Sequence, residues 1–150
     1  MPRSPYRYRQ QGTTSDALRA MDSVLARIGT PLSVQGYRYF GRWNKFHDAV
    51  LLKGTKGTAR FSALSWGYGG EGPRGLVQLL MKLGLHRERA EHIAFQSRRY
   101  DEPGVDWFVR FLPSRRLLVL GREQINDLQG VSGIPRQPKT TGNRQPQPEQ

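Results

Sequence analysis

The sequence predicts an α+β domain: a small, mostly antiparallel sheet with helices packed on one face. Three observations carry this. Amphipathic helical runs open the chain and recur in its middle. Strand-like runs come in pairs about tight turns. The resulting order, α-β-β-β-α-α-β-β-α, groups strands with strands, which favours hairpins over parallel crossovers.

The elements follow in order. Residues 1–13 are polar, basic and proline-containing, with Arg3, Arg7 and Arg9 interleaved with Tyr6 and Tyr8. They show no apolar period and read as a disordered arm. In SDALRAMDSVLARIG the apolar residues Leu18, Met21, Val24, Leu25 and Ile28 fall on one helix face. Ser15 is the expected cap, Gly29 the left-handed residue past the end, and Pro31 the stop. YRYFGRW reads as strand through Tyr37, Tyr39 and Trp43. Ala49 to Lys53 and Ala59 to Trp66 form a hairpin about G-T-K-G.

A glycine-rich segment, WGYGGEGPRG, then precedes a helix that is expected to begin at Pro73 and end at Gly84. HRERAEHIAFQSRRY is a shorter helix with Ala90, Ile93, Ala94 and Phe95 inward. DEPG is a turn. VDWFVRFL and LLVL flank P-S-R-R as a second hairpin, although VDWFVRFL also admits a helical reading. REQINDLQ closes the domain as helix. The tail from Val131 is rich in Pro, Gln and Gly and reads as disordered. The expected organisation is an arm over 1–13, one domain over 14–130 and a tail over 131–150.

Charge points to the class of partner. Lys and Arg number 24 against 12 Asp and Glu, a formal net charge of +12. Such an excess attracts polyanions, nucleic acid first and anionic membrane second. The chain has no cysteine. Disulfides, thiolate nucleophiles and zinc-thiolate sites are therefore excluded. The N-terminus has no apolar segment of the secretory kind, and no apolar run approaches the ~20 residues of a membrane span. The expected location is the cytoplasm, with no membrane partner.

Two constellations fit an anion. The first is the glycine segment. A helix start presents backbone N–H groups without internal partners, and glycines let an anion approach them. Gly69, Gly70, Gly72 and Arg74 are the candidate phosphate contacts, with Glu71 opposing a phosphate or capping the helix itself. The alternative is a tight strand-to-helix turn, with Trp66 and Tyr68 plugging the core. No Walker A follows, and the G-x-G-x-x-G match at Gly67, Gly69 and Gly72 lacks its βαβ context.

The second constellation is basic and aromatic. Single-strand binders combine a positive groove with rings on which bases stack. Arg38, Arg42, Lys53, Lys56, Arg60, Arg98 and Arg99 are the candidate phosphate contacts. Tyr37, Tyr39 and Trp43 are the candidate stacking residues. If Tyr37 and Tyr39 share a sheet face they form a platform. The competing reading turns the rings to the core and the arginines to solvent.

The run F-S-A-L-S-W-G-Y-G-G-E-G-P-R-G-L-V-Q-L-L resembles the hallmark of a family of small proteins from phages and other bacterial mobile elements. That hallmark is W-G-Y-G-G-x-G-P followed by an amphipathic helix. Tyr39 to Arg42, Y-F-G-R, is similar to the family's Y-x-G-R opening. The resemblance spans 37–128, with only the loop specific; this chain is more basic and adds the two tails. It implies a phage or mobile-element setting and carries no activity.

Catalysis finds little support. His47, His86 and His92 lack ligand spacing. Asp101, Glu102 and Asp106 surround a turn and are expected to face solvent. With Glu123 they offer no nuclease spacing, and Ser62 and Ser65 lie in no nucleophile elbow. No catalytic residue, metal site or cofactor is assigned. The leading expectation is a non-catalytic nucleic-acid-binding protein. Alternatives are an interaction protein that blocks a host protein or captures a phosphorylated small ligand, and a virion-associated component.

Overall fold

The computed structural model describes residues 4–129, so the tail expected over 131–150 lies outside the described residues. The elements are β1 (Tyr6–Arg9), α1 (Thr14–Arg27), β2 (Pro31–Gly41), β3 (Lys45–Gly54), β4 (Gly57–Phe61), α2 (Glu71–Lys82), α3 (Arg87–Gln96), β5 (Gly104–Leu112), β6 (Arg116–Gly121) and α4 (Arg122–Gln129). They build a small α+β domain around one six-stranded sheet of order β1-β4-β3-β2-β5-β6. All pairings are antiparallel except the parallel pairing of β1 with β4. The helical reading of VDWFVRFL gives way to β5, whose alternation the hairpin with β6 fixes.

The N-terminal segment departs from expectation. Tyr6–Arg9 is an edge strand and not an unfolded arm. It satisfies the open edge of β4, with Tyr6 N donating to Lys56 O and Gln10 N to Arg60 O. The Tyr8 ring packs on Phe61 at 5.7 Å. Buried Gln10 completes the anchor, its Oε1 accepting from Ala63 N.

Helix α1 is capped by Thr13, one of the residues before Ser15. Thr13 and Asp16 form a reciprocal capping box: Asp16 N donates to Thr13 Oγ1, and Thr13 N to Asp16 Oδ2 at 2.8 Å. The Asp16 carboxyl is held below its ordinary range, chiefly by that Thr13 backbone bond. Gly29 takes the left-handed conformation at φ 82°, as expected past a helix end. Strand β4 ends at Phe61, short of Trp66. Helix α2 starts at Glu71, so Pro73 is third in the helix; it still occupies the first turn, where its missing N–H leaves no bond unmade.

Strand parity sorts the side chains. One face presents Val34, Val50, Leu52, Ala59, Phe61, Trp107 and Val109. These join Met21, Val24 and Ile28 of α1, Leu76, Leu79 and Leu80 of α2, and Ala90, Ile93 and Ala94 of α3 in a single buried cluster. Helices α1–α3 thus cover this face, and α4 packs beside β5 and β6. Gly36 is required here: a Cβ on it would lie 2.2 Å from Trp107 Nε1, so the indole rests on bare backbone.

At one end of the sheet a bulge in β5 between Val105 and Trp107 buries Asp106, which is 2% exposed. It accepts from Trp66 Nε1 at 2.9 Å and from Arg122 Nη2 at 2.7 Å. Burial pushes its carboxyl upward, against the pull of these bonds. Asp106 therefore does not face solvent. It ties Trp66, in the loop after β4, to Arg122 at the start of α4.

Candidate functional site

The opposite face of the sheet carries the basic and aromatic side chains. Register places them in cross-strand rows. The first row runs Arg7, Thr58, Lys53, Ser33, Arg110 and Leu118; the second runs Arg9, Arg60, Leu51, Gln35, Phe108 and Leu120. Tyr37 lies between Ala49 and Val105, and Tyr39 pairs with His47. Two carboxylates occur in the strands, Asp48 and Asp106. Asp48 sits opposite Arg38 on the helix side, and Asp106 is buried in its bulge. No strand therefore supplies an acid to the open face.

A groove of about 610 Å³ crosses this face, lined by Arg7, Arg9, Lys53 and Arg60 together with Ser33 and Gln35. None of the four cations has a carboxylate partner among the described residues. A neighbouring hollow of about 540 Å³ shares Lys53 and adds Lys56 and Arg27 at the β3–β4 turn. Positive charge thus continues around that end of the sheet.

The aromatic residues adjoin this groove. Tyr37 and Tyr39 share the open face because they are two apart on β2. Their ring centroids are 6.4 Å apart at an interplanar angle of 15°. Tyr39 stacks on His47 at 5.4 Å. The Arg60 guanidinium lies 4.9 Å above the Tyr39 centroid, joining the cationic rows to the rings. The tyrosines are half-buried and turn away from the core, so the core-facing alternative does not hold for them.

Other expected contacts lie elsewhere. Arg38 has the opposite parity to Tyr37 and Tyr39. It is 7% exposed, bonds Asp48 at 3.2 Å and donates to Tyr100 O, so it cannot reach a phosphate on the open face. Arg99 bonds Asp48 at 2.7 Å and Trp66 O at 2.7 Å, and its guanidinium lies over Trp66 and Tyr68. It holds the glycine segment to the end of the sheet. Arg98 is exposed, but it stacks on Tyr100 and faces Glu123 at 3.5 Å, away from the groove. Arg42 and Trp43 occupy the tip of the β2–β3 hairpin, both exposed.

The glycine segment does not join the groove, since none of residues 66–75 lines it. It lies in the helix layer, behind the sheet, and close packing accounts for three of its glycines. A Cβ on Gly72 would lie 2.2 Å from Ser65 Oγ, and one on Gly75 would lie 2.7 Å from Thr14 Cγ2. Gly67 has φ 87°, and a Cβ there would lie 2.5 Å from Arg99 Cγ. Gly70 caps α2 in extended backbone under the Tyr68 ring, with no side chain bonding the helix start; Glu71 is exposed and does not cap it. Gly69 alone has open space around it. Arg74 is exposed on the α1–α2 surface beside Glu71 and Lys82.

Arg7 and Arg9 form a basic-aromatic patch with Tyr6 and Tyr8 in the sequence, but inside what reads as an unfolded arm and not a strand. Their signal is the alternation YRYR, which puts both tyrosines on one side of a strand and both arginines on the other. Among the described residues no three His, Asp or Glu side chains gather to hold a metal ion. No helix among them is long and apolar enough to cross a membrane. Ser62 Oγ donates to Gln10 O, and Ser65 Oγ shares a hydrogen bond with the Tyr68 hydroxyl, so both serines hold loops in place.

Comparison with protein-family models, with curated proteins and with solved structures finds no match.

Proposed function

We propose that this protein is a non-catalytic nucleic-acid-binding protein that holds a single strand on the open face of its sheet. One observation carries the reading. Arg7, Arg9, Lys53 and Arg60 line one groove with no carboxylate partner among the described residues, directly beside the Tyr39–Tyr37 row.

The two halves of that arrangement suit the two halves of a nucleotide. Cations spaced along a groove track phosphates, and each one engaged releases counterions. Flat rings on the same face accept bases, whatever their sequence, because every base has a π-face. A duplex hides its bases and offers only phosphates to such a surface. A mononucleotide engages one ring and one or two of the cations. The extended face therefore favours a strand over both. The phage or mobile-element setting stays part of this proposal on the loop's resemblance alone.

The test is fluorescence anisotropy at low salt with a labelled single strand, a blunt duplex and a mononucleotide competitor. The single strand is expected to bind most tightly. Tyr39→Ala is expected to weaken it by about 1–3 kcal/mol, and Tyr39→Phe to leave it nearly unchanged, since stacking needs the ring and not the hydroxyl. No binding to any oligonucleotide contradicts the proposal. So does binding that Tyr39→Ala does not alter.

A further inference from the structure

The β2–β3 hairpin runs past the edge of the open face and ends in an exposed tryptophan. Trp43 is 81% exposed, and Phe40 beside it is 54% exposed. Residues 39–47, YFGRWNKFH, contain no acid, and Arg42 and Lys45 flank Trp43 in sequence. The tip backbone is costly. Trp43 has φ 64° and Asn44 φ 53°, both left-handed, within the three-residue turn Arg42–Asn44 that joins Gly41 to Lys45. Asn suits that conformation, but a tryptophan there is strained by about 1–2 kcal/mol. No contact with the core offsets the strain, because the side chain projects into solvent.

The tip lies close to the tyrosine row along the chain. Tyr39 and His47 pair on the open face at the base of the hairpin, and Gly41 ends β2 two residues further out. At the strand rise that is roughly 7 Å, about two base steps of a stacked strand. A single strand laid over Tyr37 and Tyr39 therefore arrives at Trp43 within a few nucleotides. The indole is exposed at the hairpin tip and open to a flat apolar surface.

We infer that the ligand fitting the whole arrangement is a junction between a single strand and a duplex. The single strand lies on the open face, and Trp43 stacks on the terminal base pair where the duplex begins. Arg42 and Lys45 face the phosphates of its two strands. A terminal pair presents a broad flat apolar surface that an indole covers better than it covers one base. This inference rests on the nucleic-acid reading above and adds the form of the substrate.

The test compares three labelled ligands on the full chain: a single strand, a blunt duplex, and the same duplex with that single strand as an overhang. The overhang ligand is expected to bind about tenfold tighter than the single strand, the scale of one added stacking contact. Trp43→Ala is expected to abolish that advantage, so that the overhang ligand and the single strand bind alike, and Trp43→Phe to restore part of it. The far-UV spectrum and melting curve of each variant check that the fold persists. Intrinsic fluorescence gives a second readout: the chain has three tryptophans, and Trp66 and Trp107 are buried, so quenching by the overhang ligand reports Trp43. Single-strand binding with no junction advantage, or an advantage that survives Trp43→Ala, overturns this inference alone. No binding of any oligonucleotide overturns the nucleic-acid reading and this inference with it.

Discussion

Arg9 and Arg60 face each other across the parallel pairing of β1 with β4, on the outward side of the sheet. Like charges in directly opposed strand positions repel, and among the described residues neither side chain has an acid to relieve it. The fold tolerates a local repulsion that a bound phosphate would remove. Arg9→Glu turns this pair attractive. The variant is expected to gain a few tenths of a kcal/mol in denaturant unfolding, limited by exposure, while its oligonucleotide affinity falls. Stability and binding then move in opposite directions, which simple misfolding cannot produce.

The glycine segment is expected to be structural. Arg74→Ala should leave oligonucleotide affinity unchanged, because Arg74 lies in the helix layer and outside the groove. Gly72→Ala should lower stability by about 1–3 kcal/mol through overpacking against Ser65. Urea unfolding and anisotropy on the same samples separate the two effects.

Trp43→Asn should raise the melting temperature and weaken the overhang ligand. Asparagine enters the left-handed turn more easily than tryptophan, a gain of about 1 kcal/mol. The pair of results marks a residue kept for binding at the expense of stability.

Asp16 makes part of the acid sensitivity of the fold. Its carboxyl is held below the ordinary value in the folded chain by Thr13 and Arg19. The unfolded state therefore binds a proton first as pH falls, and the contribution of Asp16 is present above about pH 4 and lost below it. Asp16→Asn should lower stability at pH 7 and flatten the acid limb, so that the two proteins converge below the folded value. Denaturant midpoints from pH 7 to pH 2 measure this.

Much of the fold was legible because helices α1, α2 and α3 bury their faces at regular spacing and the hairpins carry clear turns. β1 was not, because YRYR holds only two tyrosines for a core, and nothing local says that β4 has a vacant edge. Parity made part of the site readable: Tyr37 and Tyr39 must share a side, and Arg38 must lie on the other. Which side faces the helices depends on Val34, Val50 and Leu52 acting together, a relation between strands. The two readings of the glycines could not be separated in sequence for a similar reason. Gly72 and Ser65 are neighbours in space across a loop, and a close approach to protein looks in sequence like a close approach to a ligand.

The central claim is that Arg7, Arg9, Lys53 and Arg60 act together on a phosphate chain. The most direct measurement is the salt dependence of single-strand affinity, for the native chain and for Arg9→Gln/Arg60→Gln. Four engaged cations predict a slope of log K against log salt of about −3, and the double variant should bring it to about −1.5. Binding indifferent to salt, or an unchanged slope in the double variant, would contradict the claim.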